Sequence, residues 1–459
     1  MLHRTRHLLD RLGLGPAPGD RTRLEAVGVE GYIESQLHPE TVPEAPSLRE
    51  RLAPLETLPL TAPELFARYA FHPGPKAKRD PKAAQAARKR ARIVLQQAVT
   101  ARLFRALYSR RQLQEAMVDF WYNHFNVFAG KGLDQLWVGA YEQEAIRPHV
   151  FGRFRDLLLA TARHPAMLFY LDNWLNTAPG SPGAHGRFDG INENYAREVM
   201  ELHTLGVNGG YHQDDVIALA HILTGWGMRA PEGFHFDARR HDYTPQIFMR
   251  HRIPGGGEEE GVATLERLAA HPSTARHLAY QLAQYFVADV PPPSLVQRLA
   301  DTYQRRDGEI RAVLHTLFRS PEFWDERYAK AKFKTPYRFV VSAVRACGLE
   351  VTDPRPLAGF LYRMGMPLYG CQTPNGYRNT QEAWLNPDGM ILRLNLATAL
   401  AAGRPRLAPD RPAPGPVSAA ALLDTIGGTL STETRSALEQ APVALRTAVV
   451  LGSPEFMLA

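Results

Sequence analysis

The sequence predicts a mostly α-helical protein with a multi-helix globular body, and two observations carry that prediction. Apolar residues recur at helical spacing through most of the chain, as at Met117, Val118, Trp121 and Phe125. Alternating runs that would indicate strands are scarce. With 459 residues, 44% of them hydrophobic and 22% charged, the chain has the composition of a globular protein and enough length for a large core.

Residues typical of helix ends support the helices predicted from the spacing of apolar residues. A helix is expected over 192–205, followed by a turn at Asn208-Gly209-Gly210. Asp214 and Asp215 suit the first turn of the next helix, and Gly225 suits its end, because glycine adopts left-handed backbone conformations without strain. The stretch around 230–257 breaks the helical pattern and is predicted to be an irregular excursion with a short hairpin.

The distribution of proline suggests how the chain is divided. Residues 1–402 form the predicted helical body, and five prolines in 403–417 form a semi-rigid tether. Residues 418–459 then form a tethered C-terminal helical segment. Ser320-Pro321-Glu322-Phe323 and Ser453-Pro454-Glu455-Phe456 each combine an N-cap serine with proline and an acid, so a helix is expected to begin at both.

The net charge of +7 comes from one local segment. Eight basic residues and one acid between positions 76 and 92 carry all of it, inside a segment 73–92 that reads as a mobile turn leading into a basic helix. A solvated surface is one interpretation, and contact with an anionic polymer or surface through 76–92 is the other. No aromatic residues interleave with these charges, which disfavours base stacking.

Cysteine usage and hydropathy exclude several classes of protein. Two cysteines, Cys347 and Cys371, rule out a disulfide scaffold and a cysteine-based zinc site. No apolar run is long enough for a transmembrane helix, and the first residues contain no apolar leader core. We therefore expect a cytoplasmic protein as numbered, or a periplasmic or exported one if a leader was removed.

Two acids on the helix expected over 192–205 are the first candidate site. Asn194, Glu198 and Glu201 stand at helical spacing, which places an amide and two carboxylates on one stripe. Arg197 points elsewhere and is expected to pair with Glu193 and Glu201. The stripe is either an exposed salt-bridged face or a metal or general acid/base site, with one carboxylate pKa raised by the other.

Histidines near the two acids favour the second interpretation, a metal or general acid/base site. Six of the seventeen lie between 203 and 251, directly after the two acids, and His203 is the nearest. His124 lies in an aromatic helix and needs a partner if buried, which Asp172 or Asn173 is placed to supply. Imidazoles with carboxylates bind zinc, iron or manganese, so we name as metal ligands Glu198, Glu201, His203, His124 and Asp172.

A loop pair completes the candidate catalytic residues. His241 and Asp242 lie in the irregular excursion, where no helix needs them, so they join Glu198, Glu201 and His124 as candidates. The sequence contains no nucleophile elbow, no phosphate-binding loop of the Walker type and no dinucleotide fingerprint. Serine hydrolases of that type and nucleotide-dependent enzymes are disfavoured accordingly.

Several ordered blocks that contain rare residues resemble one bacterial family, known as domain of unknown function 1800. The blocks are Phe120-Trp121-Tyr122-Asn123-His124-Phe125, Tyr170-Leu171-Asp172-Asn173, Asn192-Glu193-Asn194-Tyr195-Ala196-Arg197-Glu198, Glu201-Leu202-His203-Thr204-Leu205-Gly206-Val207, Leu223-Thr224-Gly225-Trp226, His241-Asp242, His271-Pro272-Ser273-Thr274-Ala275, Thr373-Pro374-Asn375-Gly376-Tyr377 and Trp384. The resemblance implies a helical fold and, as a partner, a sulfatase-like protein encoded nearby. It implies no catalytic residues.

Two functional hypotheses follow from the sequence. The first is a metal-dependent enzyme, hydrolytic or oxidative, that holds zinc, manganese or iron in a Glu/His/Asp site of the helical core. The second is a non-enzymatic helical binding or assembly protein that acts with a partner protein or an anionic polymer. Polar residues concentrate in a few tight blocks, which favours the enzyme.

Overall fold

The computed structural model describes residues 2–70, 81–229, 232–412, 414–427 and 430–459. Within these ranges the protein is mostly α-helical, with two small two-stranded sheets, and this confirms the predicted fold class. Residues 73–80 of the predicted basic segment lie outside the described ranges. None of the described helices has the length and hydrophobicity needed to cross a membrane.

Helices α1 to α11 are described in the first half of the chain, which contains most of the predicted site residues. They are α1 (Leu2–Arg11), α2 (Asp20–Leu37), α3 (Pro46–Leu52), α4 (Ala62–Tyr69), α5 (Pro81–Tyr108), α6 (Gln112–His124), α7 (Asp134–Tyr141), α8 (Phe154–Arg163), α9 (Pro165–Tyr170), α10 (Asn194–Glu198) and α11 (Gln213–Ile222). Short 3₁₀ turns lie at Pro39–Thr41, Arg147–His149 and Asn173–Leu175, and π-helical turns at Glu142–Ile146 and Val199–His203.

The second half of the chain continues as helices after the two hairpins. Its helices are α12 (Glu258–Ala270), α13 (Pro272–Phe286), α14 (Pro293–Arg305), α15 (Ile310–Phe318), α16 (Pro336–Ala346), α17 (Arg355–Arg363), α18 (Gln381–Trp384), α19 (Pro387–Ala401), α20 (Ala419–Ile426), α21 (Thr432–Gln440), α22 (Arg446–Leu451) and α23 (Pro454–Met457), with a 3₁₀ turn at Val443–Leu445.

Two groups of buried apolar side chains hold these helices together. The larger core contains Trp121 of α6, and the smaller one contains Val340 of α16 and Leu396 of α19. The long helix α5 contributes to both cores. The predicted C-terminal segment adds Leu422 and Val450 to the smaller core, so its helices bury their apolar faces against α16 and α19. The division of the chain at 403–417 stays a prediction.

The helix expected over 192–205 is shorter and changes type. Helix α10 ends at Glu198, and a π-helical turn, Val199–His203, follows it directly. The Thr204 hydroxyl donates to the carbonyl of Val199 at 2.6 Å, which satisfies a backbone group at the end of the turn. Single π-helical turns are rare in proteins overall, but those that occur are often found at functional sites. This one begins directly after Glu198 and contains Glu201.

The excursion around 230–257 contains two short hairpins. Strand β1 (Trp226–Arg229) pairs antiparallel with β2 (Gly233–Phe236), and β3 (Gln246–Phe248) pairs with β4 (His251–Ile253). Helix α11 ends at Ile222, two residues before the expected position. Gly225 adopts φ +79°, which confirms its predicted left-handed conformation.

The helix start predicted at Ser453 is confirmed, and the one predicted at Ser320 is wrong. The Ser453 hydroxyl accepts from the amide of Phe456, and helix α23 begins at Pro454. The Ser320 hydroxyl accepts from the amide of Phe323 in the same way, but only turns follow it. A serine cap satisfies one amide in either case, and continuation as a helix depends on the packing of the residues that follow.

Candidate functional site

A cleft of about 230 Å³ lies where α6, the π-helical turn, α13 and the loop after α17 meet. It brings together three of the sequence blocks. Its lining residues are Asp119, Phe120, Asn123, His124, Glu201, Leu202, Val207, His277, Gln281, Gln284, Tyr285, Thr335, Met366, Asn375, Tyr377, Arg378 and Asn379. Of the predicted site residues, His124 and Glu201 line this cleft.

His124 is held by hydrogen bonds at both ring nitrogens. Its Nε2 lies 3.0 Å from the carbonyl oxygen of His203, and its Nδ1 lies 2.7 Å from the Gln281 carboxamide. Burial and, to a smaller extent, the neighbouring His277 lower the pKa of His124 to about 3, so the ring is neutral near pH 7. The prediction that Asp172 or Asn173 pairs with His124 is wrong, because Lys131 binds Asp172 and the Asn173 amide donates to the carbonyls of Leu223 and Trp226.

The neutral state of His124 determines which atoms of this network donate hydrogen bonds and which accept them. A neutral imidazole has one N–H, and the His203 carbonyl can only accept, so Nε2 of His124 donates and Nδ1 accepts. The Gln281 amide nitrogen must then face His124, which leaves its oxygen to accept from Nε2 of His277, 3.1 Å away. His277 Nε2 also lies 3.1 Å from the carbonyl of Leu202. Both nitrogens of His124 and both ends of the Gln281 carboxamide are therefore engaged.

His203 lies behind the cleft and is 1% exposed. Neither ring nitrogen has a hydrogen-bond partner among the described residues, and the ring centroid lies 4.9 Å from that of Phe125. Burial, then His124 and His277, hold the pKa of His203 well below its ordinary value. The ring is therefore a neutral part of an aromatic cluster.

Glu198 and Glu201 are both half-buried, and neither forms a hydrogen bond or ion pair with a described residue. Burial raises the pKa of Glu198, and the charge of Glu201 raises it further, against the effect of Arg197. The Arg197 guanidinium donates to Glu193 at 2.9 Å and to Gln213 at 3.0 Å. Its predicted pairing with Glu193 is confirmed, and its pairing with Glu201 is wrong because Glu193 and Gln213 occupy the guanidinium.

Asp172 belongs to a different neighbourhood. It adopts φ +59°, and its carboxylate accepts from the ammonium of Lys131 at 2.8 Å. The same ammonium donates to the carbonyl of Tyr170 at 2.6 Å. This lysine therefore neutralises Asp172 at a turn, and the carboxylate does not join His124 or the two glutamates.

His241 and Asp242 are adjacent in sequence but have different partners. The two ring nitrogens of His241 lie 2.8 Å from the carbonyl of Thr224 and 3.1 Å from Oε1 of Glu260, and the second contact is a buried ion pair if the ring is protonated. Asp242 lies 2.6 Å from Nδ1 of His221. Burial acts to raise the pKa of Asp242, but hydrogen bonds from Thr244 and His221 lower it.

The structure thus groups some of the predicted residues and separates the others. His124 and Glu201 line the cleft, the ring of His203 packs behind it against His124, and Glu198 interacts electrostatically with Glu201. Asp172 binds Lys131, and His241 and Asp242 have other partners. No group of three or more metal-binding side chains occurs in the described ranges.

Sequence reasoning missed part of the cleft lining. His277 and Gln281 on α13, and Arg378 after α17, were not among the candidates. His277 and Gln281 stand four residues apart, which places them on one helix face, but nothing in their own segment pairs them with His124. The block from Thr373 to Tyr377 was the available signal for the loop that carries Arg378.

The fold and the cleft define a mostly helical protein with a cavity between packed helices. The family described as Protein of unknown function (DUF1800) matches residues 7–458, so the chain belongs to that family. No curated protein and no solved structure matches the chain.

Proposed function

We propose that this protein is a hydrolytic enzyme in which Glu198 and Glu201 form a general acid–base pair at the cleft. The observation that carries the proposal is that both carboxylates are half-buried and have no hydrogen bond or ion pair with a described residue. Burying a charged group without a partner is costly. Arg197 lies beside Glu198 and is engaged by Glu193 and Gln213, so the acids are not arranged to stabilise their helix.

The two acids differ in a way that suits distinct roles. The raised pKa of Glu198 keeps its proton to a higher pH than an ordinary carboxyl group does, which suits a general acid. Glu201 lines the cleft and suits a general base. In the proposed step Glu201 takes a proton from water as the water oxygen attacks the substrate, and Glu198 gives its proton to the leaving group.

Zinc, manganese or iron was the cofactor expected from the sequence, and the residues around the cleft do not fit such a site. The His124 nitrogens are engaged by Gln281 and the His203 carbonyl, and Asp172 is engaged by Lys131. His203 keeps both ring nitrogens without a partner among the described residues, but its ring lies behind the cleft against Phe125. The two glutamates are then the remaining ligands, which is fewer than the three or four protein ligands of a zinc site. The proposal therefore takes its acid–base form without a metal.

A hydrolysis screen with matched variants tests the proposal. The full chain is incubated with p-nitrophenyl esters, p-nitrophenyl glycosides and peptide anilides, together with Glu198→Gln, Glu201→Gln and the exposed control Glu50→Gln. We expect wild type and the control to hydrolyse one class, and each cleft variant to lose about 10²–10⁴-fold in rate.

Two outcomes would contradict this proposal. Equal rates in wild type and both cleft variants would exclude the acid–base pair. Activity that a chelator abolishes and that added zinc, manganese or iron(II) restores would instead support the metal-dependent form. Melting curves of each variant separate loss of catalysis from loss of folding.

A second candidate function is binding of an anionic polymer through α5. Four residues near its start, Arg88, Lys89, Arg90 and Arg92, are exposed and form no ion pair with a described residue. Replacing all four with glutamine is expected to abolish binding to heparin, and the affinity of wild type should fall steeply with salt. Binding that the replacement leaves unchanged would exclude this function. A sulfatase-like partner remains a separate proposal.

A further inference from the structure

Arg378 is an unpaired cation in the wall of the cleft. Among the described lining residues it alone carries a positive side chain, since His124 is neutral through burial. Its guanidinium is exposed and forms no hydrogen bond or ion pair with a described residue, Glu201 included. An arginine placed in this way is available to a ligand.

The backbone on both sides of Arg378 is fixed. The Asn123 carboxamide accepts from the amide of Tyr377 at 2.7 Å and donates to its carbonyl at 2.9 Å. Gly376 adopts φ +68°, and a Cβ there would lie 2.3 Å from the Asn123 carbonyl oxygen. On the other side, Lys332 donates to the carbonyl of Asn379. The loop therefore holds Arg378 at the rim of the cleft.

Much of the remaining polar lining is already engaged within the protein. Asp119 accepts from Arg102 at 2.8 Å and from Tyr285 at 3.1 Å. The Gln281 carboxamide is engaged by His124 and His277, and Gln284 donates to the carbonyl of Asp289. Between these groups the wall is apolar, formed by Phe120, Leu202, Val207 and Met366.

We infer that the cleft binds a small monoanionic carboxylate with an apolar body, and that Arg378 is the residue that binds the carboxylate. The inference rests on the proposed function, because it takes this cleft as the place of the reaction. A guanidinium pairs with a carboxylate through two parallel hydrogen bonds. The apolar wall takes the body of the ligand, and Glu201 faces the bond to be hydrolysed.

The charges and the volume of the cleft restrict which class of ligand can bind there. A phosphate or sulfate dianion would place two negative charges in a cleft that contains Glu201 and only one cation among the described residues, so repulsion favours a monoanion. A cavity of about 230 Å³ is smaller than those that enclose drug-sized ligands. An acylated amino acid with a free carboxylate has the required charge and size.

The test compares an acid with its own amide. Calorimetric titration of the full chain uses N-acetylphenylalanine, its C-terminal amide and phenyl phosphate as probes. We expect wild type to bind the free acid at least tenfold more tightly than the amide or the phosphate. Arg378→Gln should abolish that preference, whereas Arg378→Lys should keep part of it, because lysine retains the charge without the planar pair of donors.

Controls make each outcome decisive. Arg435→Gln, at an exposed arginine on α21, should leave the preference unchanged. Equal binding of acid and amide, tighter binding of phenyl phosphate, or no binding of the acid would overturn the inference. The rates of the Glu198 and Glu201 variants on the hydrolysis panel decide the proposed function separately.

Discussion

At the residue scale, Glu198 shows how burial converts a surface acid into a candidate proton donor. Its neighbours are the partly buried π-helical turn and a second acid, and both disfavour its ionised form. The same position on an exposed α-helix would give an ordinary carboxylate. The raised pKa also gives Glu198 a measurable signature in stability.

Glu198→Gln is expected to stabilise the protein at pH 7. A carboxyl group whose pKa is higher in the folded state than in the unfolded state favours folding while it is protonated, at pH values below its unfolded pKa. That contribution to stability is lost as the pH rises through the folded pKa. The gain should be at most on the order of 1 kcal/mol, since solvent screens a half-exposed group. Urea denaturation at several pH values measures it, and the gain should vanish near pH 4. A variant that is less stable than wild type at pH 7 would contradict the burial argument, and Glu50→Gln serves as control.

Gly225→Val is expected to destabilise the fold. The backbone adopts φ +79°, and a Cβ would lie 2.6 Å from the carbonyl oxygen of Asp237. Strain of this kind costs about 1–3 kcal/mol, and the steric clash adds to it. Gly190→Val is the matched control, because nothing lies within 4 Å of a Cβ there and its φ is not positive. Denaturation midpoints compare the two, and an equal effect would exclude the backbone explanation.

At the element scale, one buried carboxylate ties the hairpin region to α12. Glu260 lies in the first turn of that helix and receives hydrogen bonds from the amides of Gly255 at 2.9 Å and Gly256 at 2.7 Å. Its other oxygen lies 3.1 Å from Nε2 of His241. The excursion around 230–257 is therefore anchored at its end although its strands are short.

Glu260→Ala is expected to loosen the hairpins and to destabilise the protein by about 3–5 kcal/mol, as for other buried pairs that lose one partner. Hydrogen exchange should speed up first at the amides of Gly255 and Gly256. Glu259→Ala changes the exposed neighbour and should have little effect. Unchanged exchange at both glycines would show that Glu260 is not the anchor.

At the scale of the whole molecule, the smaller core joins helices from the middle and the end of the chain. Leu451 is fully buried there, together with Val340 of α16 and Leu396 of α19. The sequence predicted a separate segment, 418–459, behind a proline-rich tether. Shared burial predicts that this segment and the body unfold together.

Leu451→Ala tests that coupling. We expect a loss of about 2–5 kcal/mol, as for other buried leucines, and a single unfolding transition in both wild type and variant. Leu445→Ala, at a residue 44% exposed, should change stability little. Two separate transitions, with only the weaker one shifted by Leu451→Ala, would support an independently folding C-terminal segment.

The sequence by itself determined the helical fold class, the family, the breaks around 225 and 257 and the two acids at 198 and 201. These features depend on local spacing and on backbone preferences, which neighbouring residues set. Only the tertiary structure decided that His124 pairs with Gln281, that Lys131 takes Asp172 and that Arg378 reaches the cleft wall. Those partners lie between 41 and 254 residues apart in the chain or meet across helices, and no local pattern encodes such distances.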